Sequence, residues 1–184
     1  GIALLGVCCD EGVRRNHGRH GARKGPNAIR HALAPMPLHL NQPIYDAGNL
    51  YCDLANLDQL SLLQADWVQK LLDQGHFPLI LGGGHEIAYG SFIGLERFLS
   101  SRIDGPIGIL NFDSHFDLRL DMHASSGTPF LQISDLCRLK QIPFNYAVLG
   151  ICETSNTQAL FERADRLNVH YLLDSELNSW QLKD

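Results

Sequence analysis

The sequence predicts an α/β fold in which parallel strands alternate with helices. Short apolar runs recur along the 184 residues, each bounded by glycine, proline or polar residues, as strands of a buried sheet are. Stretches with apolar residues at helical spacing lie between them. This alternation is typical of a parallel sheet that helices cover on both faces. No repeat, low-complexity tract or linker interrupts the pattern, so we expect residues 1–184 to form a single domain.

The individual elements follow in chain order from these patterns. The predicted strands are Ile2–Val7, Ile44–Gly48, Phe77–Leu81, Ile107–Phe112, Tyr146–Leu149 and Val169–Leu173. Helices are predicted from Pro26 to Leu33, from Leu60 to Leu71 with Gly75 as C-cap, from Glu86 to Leu99, from Pro129 after the N-cap Thr128 to Lys140, and from Ser155 to Leu167, where Gln158 completes a capping box. The segment from Asp10 to Gly25, which is rich in arginine and glycine, is predicted to form a loop.

The composition excludes several classes of function. A net charge of −5 gives no overall attraction to nucleic acid or to an acidic membrane, so neither is expected as a partner. No segment is apolar over the length that a membrane span needs, and no signal peptide is visible. The five cysteines are odd in number and irregularly spaced, which argues against a disulfide framework and favours the reducing cytoplasm.

Two of the predicted strands end in residue types that bind metal ions. The third is followed by Gly-Gly-Gly-His-Glu at 82–86, and the fourth by Asp113, His115 and Asp117. In extended backbone these last three side chains would share one face, and neighbouring strands would bring His85 within reach. Imidazole and carboxylate ligands without thiolates suit manganese, iron or zinc. The sequence therefore predicts a metal site, with an ordinary polar loop as the alternative.

These motifs resemble those of the ureohydrolase superfamily, which contains arginases, agmatinases and formimidoylglutamases. Gly-Gly-Gly-His-Glu at 82–86 and Asp-Ser-His-Phe-Asp at 113–117 look like its first two metal motifs, and the resemblance covers nearly the whole chain. It implies an arginase-like three-layer α/β/α sandwich with a mostly parallel sheet. It also implies two manganese ions in each complete active site.

The resemblance further implies a role for each ligand. His85 and Asp117 would bind one ion, His115 would bind the other, and Asp113 would bridge the two. Water between two such ions ionises readily near neutral pH, and the hydroxide would attack the carbon of an amidine or guanidine and expel an amine.

The third metal motif of the superfamily, a late Asp-x-Asp pair, has no match after Leu149. Asp165 and Asp174 stand alone, and Asp184 is the last residue. We therefore expect the chain to be truncated at both ends relative to a longer protein, to bind metals weakly or not at all, and to be inactive by itself.

Three features favour formimidoylglutamase within the superfamily. The run Asp-Glu-Gly-Val-Arg-Arg-Asn at 10–16 resembles it specifically, and Arg14 and Arg15 are candidates for holding an acidic substrate. Arg119 stands where arginases tend to have an asparagine that contacts the substrate carboxylate, and arginine suits bidentate carboxylate binding. Phe130 stands where arginases carry a histidine that assists proton transfer.

Ser126 is a further candidate for substrate binding, with a helix N-cap as its alternative role. Arg119 is equally interpreted as a solvated surface residue. The remaining basic and imidazole side chains of the first loop are interpreted as solvated or structural: His17, His20, Arg23 and Lys24.

The leading hypothesis is hydrolysis of N-formimidoyl-L-glutamate, a small acidic amidine, to L-glutamate and formamide in histidine degradation. One alternative is another ureohydrolase, such as an agmatinase, acting on a guanidino compound. A second is a non-catalytic relative that acts in binding or assembly. Superfamily members often form trimers or hexamers, so the resemblance also allows a homo-oligomer.

Overall fold

The chain folds into two compact units. The computed structural model describes residues 1–52, 56–100, 102 and 105–177; Asp184 lies outside this range. The first unit comprises residues 1–104 and 122–129, and the second comprises residues 105–121 and 130–184. Each unit contains a three-stranded parallel sheet. The prediction of an α/β fold with parallel strands is therefore confirmed.

In the first unit, β1 (Ile2–Cys8) lies between β2 (Ile44–Tyr51) and β3 (Phe77–Leu81). The strand occupies the centre because it is apolar throughout, and Leu5 and Val7 are completely buried. The second strand is three residues longer than predicted. It continues past Gly48, whose positive φ of 80° accompanies a shift in the pairing with β1.

The helical segments in the described part of the first unit are α1 (Glu11–Arg15), a 3₁₀ turn (Ala22–Lys24), α2 (Gly25–Leu33), α3 (Leu57–Asp73) and α4 (Ile87–Ser100). The longest two, α3 and α4, pack against each other. Gln64 of α3 is almost fully buried and donates hydrogen bonds to the carbonyl of Ile87 at 2.8 Å and to the hydroxyl of Ser91 at 2.7 Å. A polar residue inside this contact is therefore satisfied by the partner helix.

In the second unit, β5 (Asn145–Ile151) lies between β4 (Gly108–Phe112) and β6 (His170–Leu173). The helices are α5 (Pro129–Lys140) and α6 (Gln158–Arg166), and 3₁₀ turns follow β5 at Glu153–Ser155 and β6 at Asp174–Glu176. The core is aromatic. The ring of Phe116 meets those of Phe161 and Tyr171 edge-to-face, at centroid distances of 5.0 and 5.1 Å.

Two local predictions were wrong. The segment predicted as a loop from Asp10 to Gly25 contains α1, because Glu11 pairs with arginines three and four positions later, a spacing that supports a helical turn. The predicted capping box at Ser155 does not form. That residue ends a 3₁₀ turn, and α6 begins at Gln158 with Thr157 as its N-cap.

The outer strands carry more exposed apolar surface than the sequence predicts for a sheet covered on both faces. Phe77 of β3 is 67% exposed and Phe112 of β4 is 75% exposed, and their neighbours Leu79 and Leu110 are exposed as well. Within the described residues β3 pairs only with β1, and β4 pairs only with β5. Edge strands with one pairing partner have fewer neighbours to cover their side chains.

Among the described residues, no helix combines the length and the apolar character that crossing a membrane requires. All five cysteines lie within the described ranges, and each has a free thiol.

The close packing of α3 on α4 can be tested by a substitution at Gly94. A methyl group on Gly94 would lie 2.6 Å from both the Ala65 carbonyl oxygen and the Val68 Cβ, so Gly94→Ala must push the two helices apart. We expect the free energy of unfolding to fall by about 1–2 kcal/mol, despite the better helix propensity of alanine. Urea titration monitored by circular dichroism measures the change. The matched control is Gly108→Ala, where no atom lies within 4 Å of the new methyl group; equal losses in both variants would contradict the packing argument.

Candidate metal-binding and substrate-binding residues

Asp113, His115 and Asp117 follow β4 directly, in a bent rather than an extended segment. Asp117 has a positive φ of 47°, so the expected extended geometry is wrong. The backbone N–H of His115 donates to Oδ1 of Asp113 at 3.0 Å, and its ring Nδ1 lies 3.5 Å from the same oxygen. Carboxylate oxygens of Asp113 and Asp117 come within 4.8 Å of each other. The turn thus gathers the two carboxylates and the imidazole by a different geometry from the one predicted.

The buried amide of Asn156 holds this turn in place. Its Oδ1 accepts from the Phe116 N–H at 3.2 Å, and its Nδ2 donates to the carbonyls of Ser114 at 2.7 Å and Cys152 at 2.9 Å. These bonds satisfy backbone groups that a strand or helix would otherwise pair. Sequence reasoning missed this residue; the only local signal is an asparagine in a polar stretch after a strand.

Tyr146 of β5 also contacts this turn. The tyrosine hydroxyl donates to the Phe116 carbonyl at 3.2 Å and accepts from Nδ2 of Asn111 at 3.1 Å. Burial raises the pKa of the hydroxyl, and the charges of Asp117 and Asp113 raise it further. The tyrosine therefore remains a neutral donor next to two acidic groups.

Phe130 is a core residue of the second unit. It is buried, and its ring stacks on Tyr146 with a centroid distance of 4.3 Å and an interplanar angle of 19°. Its backbone N–H donates to the carbonyl of Asp117 at 3.3 Å. The phenylalanine at the position where the resemblance places an arginase histidine therefore serves packing and fixes the turn.

His85 lies in the first unit, in the glycine-rich turn between β3 and α4. The N–H groups of Gly83 and Gly84 donate to the carbonyls of Val7 at 3.0 Å and Cys9 at 3.2 Å, so the turn closes on the end of β1. A methyl group on Gly83 would lie 2.7 Å from the Val7 carbonyl oxygen. Only glycine allows this approach, and it fixes the backbone that carries His85.

The next residue, Glu86, is 6% exposed and links this turn to α1. Its Oε1 accepts from the N–H of Gly12 at 3.0 Å, whereas its buried Oε2 has no hydrogen-bond partner among the described residues. Burial raises the pKa of the Glu86 carboxyl. The sequence motif singled out the histidine and gave no role to the glutamate beside it.

Arg14 and Arg15 both bind Glu11 within α1. Arg14 donates from Nε to Oε2 at 2.7 Å and from Nη2 to Oε1 at 2.6 Å, and Nε of Arg15 donates to Oε1 at 2.9 Å. The hydrogen bond from Arg14 is the main cause that lowers the pKa of Glu11 to about 2. The predicted substrate-binding arginines are therefore partly neutralised by a glutamate that sequence reasoning did not single out.

Ser126 is joined to α1 in the first unit. Its N–H donates to the carbonyl of Gly12 at 3.0 Å, and its hydroxyl accepts from Nδ2 of Asn16 at 3.1 Å. Nη1 of Arg15 donates to the nearby carbonyl of Ala124 at 3.0 Å. The structure thus brings together the serine and the arginine run that the sequence proposed separately, whereas Arg119 lies exposed in the second unit.

Three thiols lie at the ends of β1 and β2 beside a cavity of about 170 Å³, lined by Cys8, Cys9, Asp10, Glu11, Arg23 and Cys52. Burial raises the pKa of all three thiols. They remain protonated near neutral pH and do not supply a thiolate nucleophile.

The clamp around the metal-binding turn can be tested with Asn156→Ala. Loss of three hydrogen bonds to buried backbone groups should lower the free energy of unfolding by about 2–4 kcal/mol. Denaturant titration measures this loss. Asn145→Ala is the matched control, since the exposed Asn145 makes one long bond to the Ile107 carbonyl at 3.3 Å and should change stability by less than about 0.5 kcal/mol. A similar loss in both variants would rule out the clamp.

The ion pairs of Glu11 should make the stability of the fold depend on pH. Because the folded-state pKa lies near 2, below the ordinary value of 4.5, the pairs stabilise the fold fully above 4.5. This contribution disappears as the pH falls towards 2. Glu11→Gln should therefore cost about 1 kcal/mol at pH 7, a modest amount because water screens the exposed Arg14. The difference from the parent chain should vanish near pH 2. Glu153→Gln, at an exposed site, serves as the control; a pH-independent loss in Glu11→Gln would contradict the ion-pair origin.

Comparison with known proteins assigns the chain to a family. The chain is 52% identical over 183 residues to the formimidoylglutamase of Aeromonas hydrophila, covering 99% of this chain and 58% of that protein. It is 48% identical over 184 residues to the formimidoylglutamase of Chromobacterium violaceum, covering 100% of this chain and 59% of that protein. The chain therefore spans less than two thirds of the length of these curated relatives.

Solved structures show the same fold. The formiminoglutamase of Trypanosoma cruzi, solved with Mn²⁺, superposes with a TM-score of 0.80 at 26% identity, covering 95% of this chain and 60% of that one. The formimidoylglutamase of Bacillus subtilis gives a TM-score of 0.78 at 25% identity, covering 94% and 54%. The model of the arginase family matches residues 1–184. The chain has the arginase fold and belongs to the arginase family.

Proposed function

We propose that the full-length protein containing this chain is a two-manganese hydrolase that cleaves N-formimidoyl-L-glutamate to L-glutamate and formamide. The observation that carries the proposal is about 50% identity to formimidoylglutamases across essentially the whole chain. The matched stretch takes in residues 1–184 or nearly so, and therefore spans both metal motifs and the arginine run of α1. The alternative superfamily substrates are guanidino compounds, which would release urea.

The residues after β4 fit a divalent cation. Asp117 is 8% exposed and lies within 4.8 Å of Asp113, so two negative charges are crowded in a partly dehydrated turn. Such crowding is unfavourable unless a cation offsets it. With the imidazole of His115 against the same carboxylate, the donors are the oxygen and nitrogen ligands that manganese accepts. This chemistry supports a ligand set of Asp113, His115 and Asp117, with His85 of the first unit as the fourth member.

Within this proposal, His85 and Asp117 would hold one ion, His115 would hold the other, and Asp113 would be shared by both. Two bound manganese ions would supply the positive charge that lowers the pKa of water and polarises the amidine. The chain's own contribution is to hold the ligands in place. Asn156 and Tyr146 fix the backbone of the turn, so the carboxylates need not reorganise when the cations arrive.

The substrate-binding candidates are Arg119, Arg14, Arg15 and Ser126. A substrate with two carboxylates requires cationic and hydroxyl donors, and arginine can bind a carboxylate through two parallel bonds. Arg14 donates from Nε and Nη2 to Glu11, and its side chain is 57% exposed. Its proposed role is therefore a contact at the edge of the site, with Ser126 held nearby in the same unit through Asn16 and Gly12.

The proposal is tested by product analysis on the full-length protein with manganese. We expect formamide and L-glutamate from formimidoylglutamate, and no urea from agmatine or arginine. Urea release with formimidoylglutamate left intact would assign a guanidino substrate, and no turnover of any of these compounds would favour a non-catalytic relative.

The ligand assignment is tested separately with Asp117→Asn. Removing a ligand charge should lower turnover by at least about 100-fold and reduce bound manganese, measured by atomic absorption after dialysis. Asp165→Asn is the matched control, because this exposed carboxylate lies in α6, outside the metal-binding turn, and accepts a long bond from the Tyr171 hydroxyl at 3.4 Å. Full manganese retention in Asp117→Asn would remove that residue from the ligand set.

A further inference from the structure

Glu86 occupies a position where a carboxylate is costly. The residue is only 6% exposed, and Oε2 has no hydrogen-bond partner among the described residues. A buried polar atom without a partner destabilises a fold, and more so when it is charged. The carboxyl group lies against α1 and the glycine-rich turn, which points to a role in holding these two segments together.

The bond from Glu86 to Gly12 connects two backbone segments. The N–H of Gly12 donates to Oε1 of Glu86 at 3.0 Å, and the carbonyl of Gly12 accepts from the N–H of Ser126 at 3.0 Å. One residue of α1 is therefore held from one side by the turn that carries His85. From the other side it is held by the loop that carries Ser126.

The fit around the carboxyl group is close on both sides. A methyl group on Gly12 or on Gly84 would overlap the Glu86 carboxyl group. The carboxyl thus fills the space between α1 and the glycine-rich turn, and both neighbours must be glycine for it to do so. Further along the same short helix, Arg15 binds the Ala124 carbonyl and Asn16 binds the Ser126 hydroxyl. Displacement of Gly12 would therefore move every substrate-binding candidate of the first unit.

We propose that Glu86 is a positioning residue that couples the turn bearing His85 to the loop bearing Ser126 and to the arginines of α1. This inference rests on the proposed function, because it assigns the coupled loop to the carboxylate end of the substrate. Its consequence is specific: loss of the carboxyl oxygen that accepts from Gly12 weakens binding of an acidic substrate and leaves the metal ligands in place.

The kinetic test compares Glu86→Ala and Glu86→Gln in the full-length manganese enzyme. Alanine removes the acceptor, so KM for formimidoylglutamate should rise about tenfold while kcat changes less than threefold. Glutamine keeps an oxygen acceptor of the same shape, so both constants should stay within threefold of the parent. N-formimidoyl-butylamine, which has no carboxylate, should show no change in KM in either variant. Bound manganese should be equal in all three proteins.

Glu96→Ala is the control for simple loss of a buried glutamate from the same helix, since Glu96 is also buried in α4. Glu96→Ala should lower the melting temperature, and it should not raise KM for formimidoylglutamate relative to KM for N-formimidoyl-butylamine. A parallel rise in KM for both substrates, a loss of manganese, or unchanged kinetics in Glu86→Ala would each overturn the assignment of Glu86.

A second readout does not depend on turnover. Amide hydrogen exchange should accelerate at Gly12 and Ser126 in Glu86→Ala, and it should remain at the parent rate in Glu86→Gln. If the parent enzyme releases no formamide, the proposed function fails on that result alone, and the exchange rates still decide whether Glu86 couples the two segments. Unchanged exchange at both amides in Glu86→Ala would refute the coupling.

Discussion

Two carboxylates lie close together in one short turn of the second unit, and the surrounding contacts must hold this turn against their repulsion. Asp113 and Asp117 come within 4.8 Å of each other while Asp117 is almost entirely buried. A turn of this kind relaxes outward unless its backbone is held from several sides. Asn156 holds it through three hydrogen bonds, Tyr146 through one, and the first residues of α5 through another. The positive φ of Asp117 is maintained by the same contacts.

The sequence predicts the parallel strands and main helices well because these depend on local apolar patterns. The runs around Val7, Leu81 and Val148 are long enough to be identified without knowledge of their partners. The strand pairing is not local, and so the division of the six described strands into two sheets of three could not be predicted from the sequence. The helix at Glu11–Arg15 was missed for a different reason: its stability comes from ion pairs among residues whose composition alone is typical of a loop.

The candidate site shows the same division between what is local and what is not. Ligand-type residues after strands can be identified from the sequence, because the residue type determines the side-chain chemistry. Their geometry was wrong, because the turn is bent by contacts with Asn156, some forty positions further along the chain. Glu86 and Glu11 were overlooked because each acts through partners that the fold brings into contact: the N–H of Gly12 for Glu86, and Arg14 and Arg15 for Glu11. A sequence motif identifies residues by their side-chain chemistry and does not reveal a contact with a backbone group, such as the N–H of Gly12.

The charge balance of α1 limits how the proposed substrate is recognised. Two arginines share one glutamate there, so this short helix offers one net positive charge rather than two. Because Glu11 keeps its proton off down to a pH of about 2, this balance holds throughout the neutral range. A dicarboxylate would therefore find only partial charge compensation at α1 and would need a further cation. Glu11 also holds Arg14 and Arg15 before any ligand arrives, and this lowers the entropy lost on binding. Selectivity for an acidic amidine would then depend on the position of a few fixed donors more than on total charge.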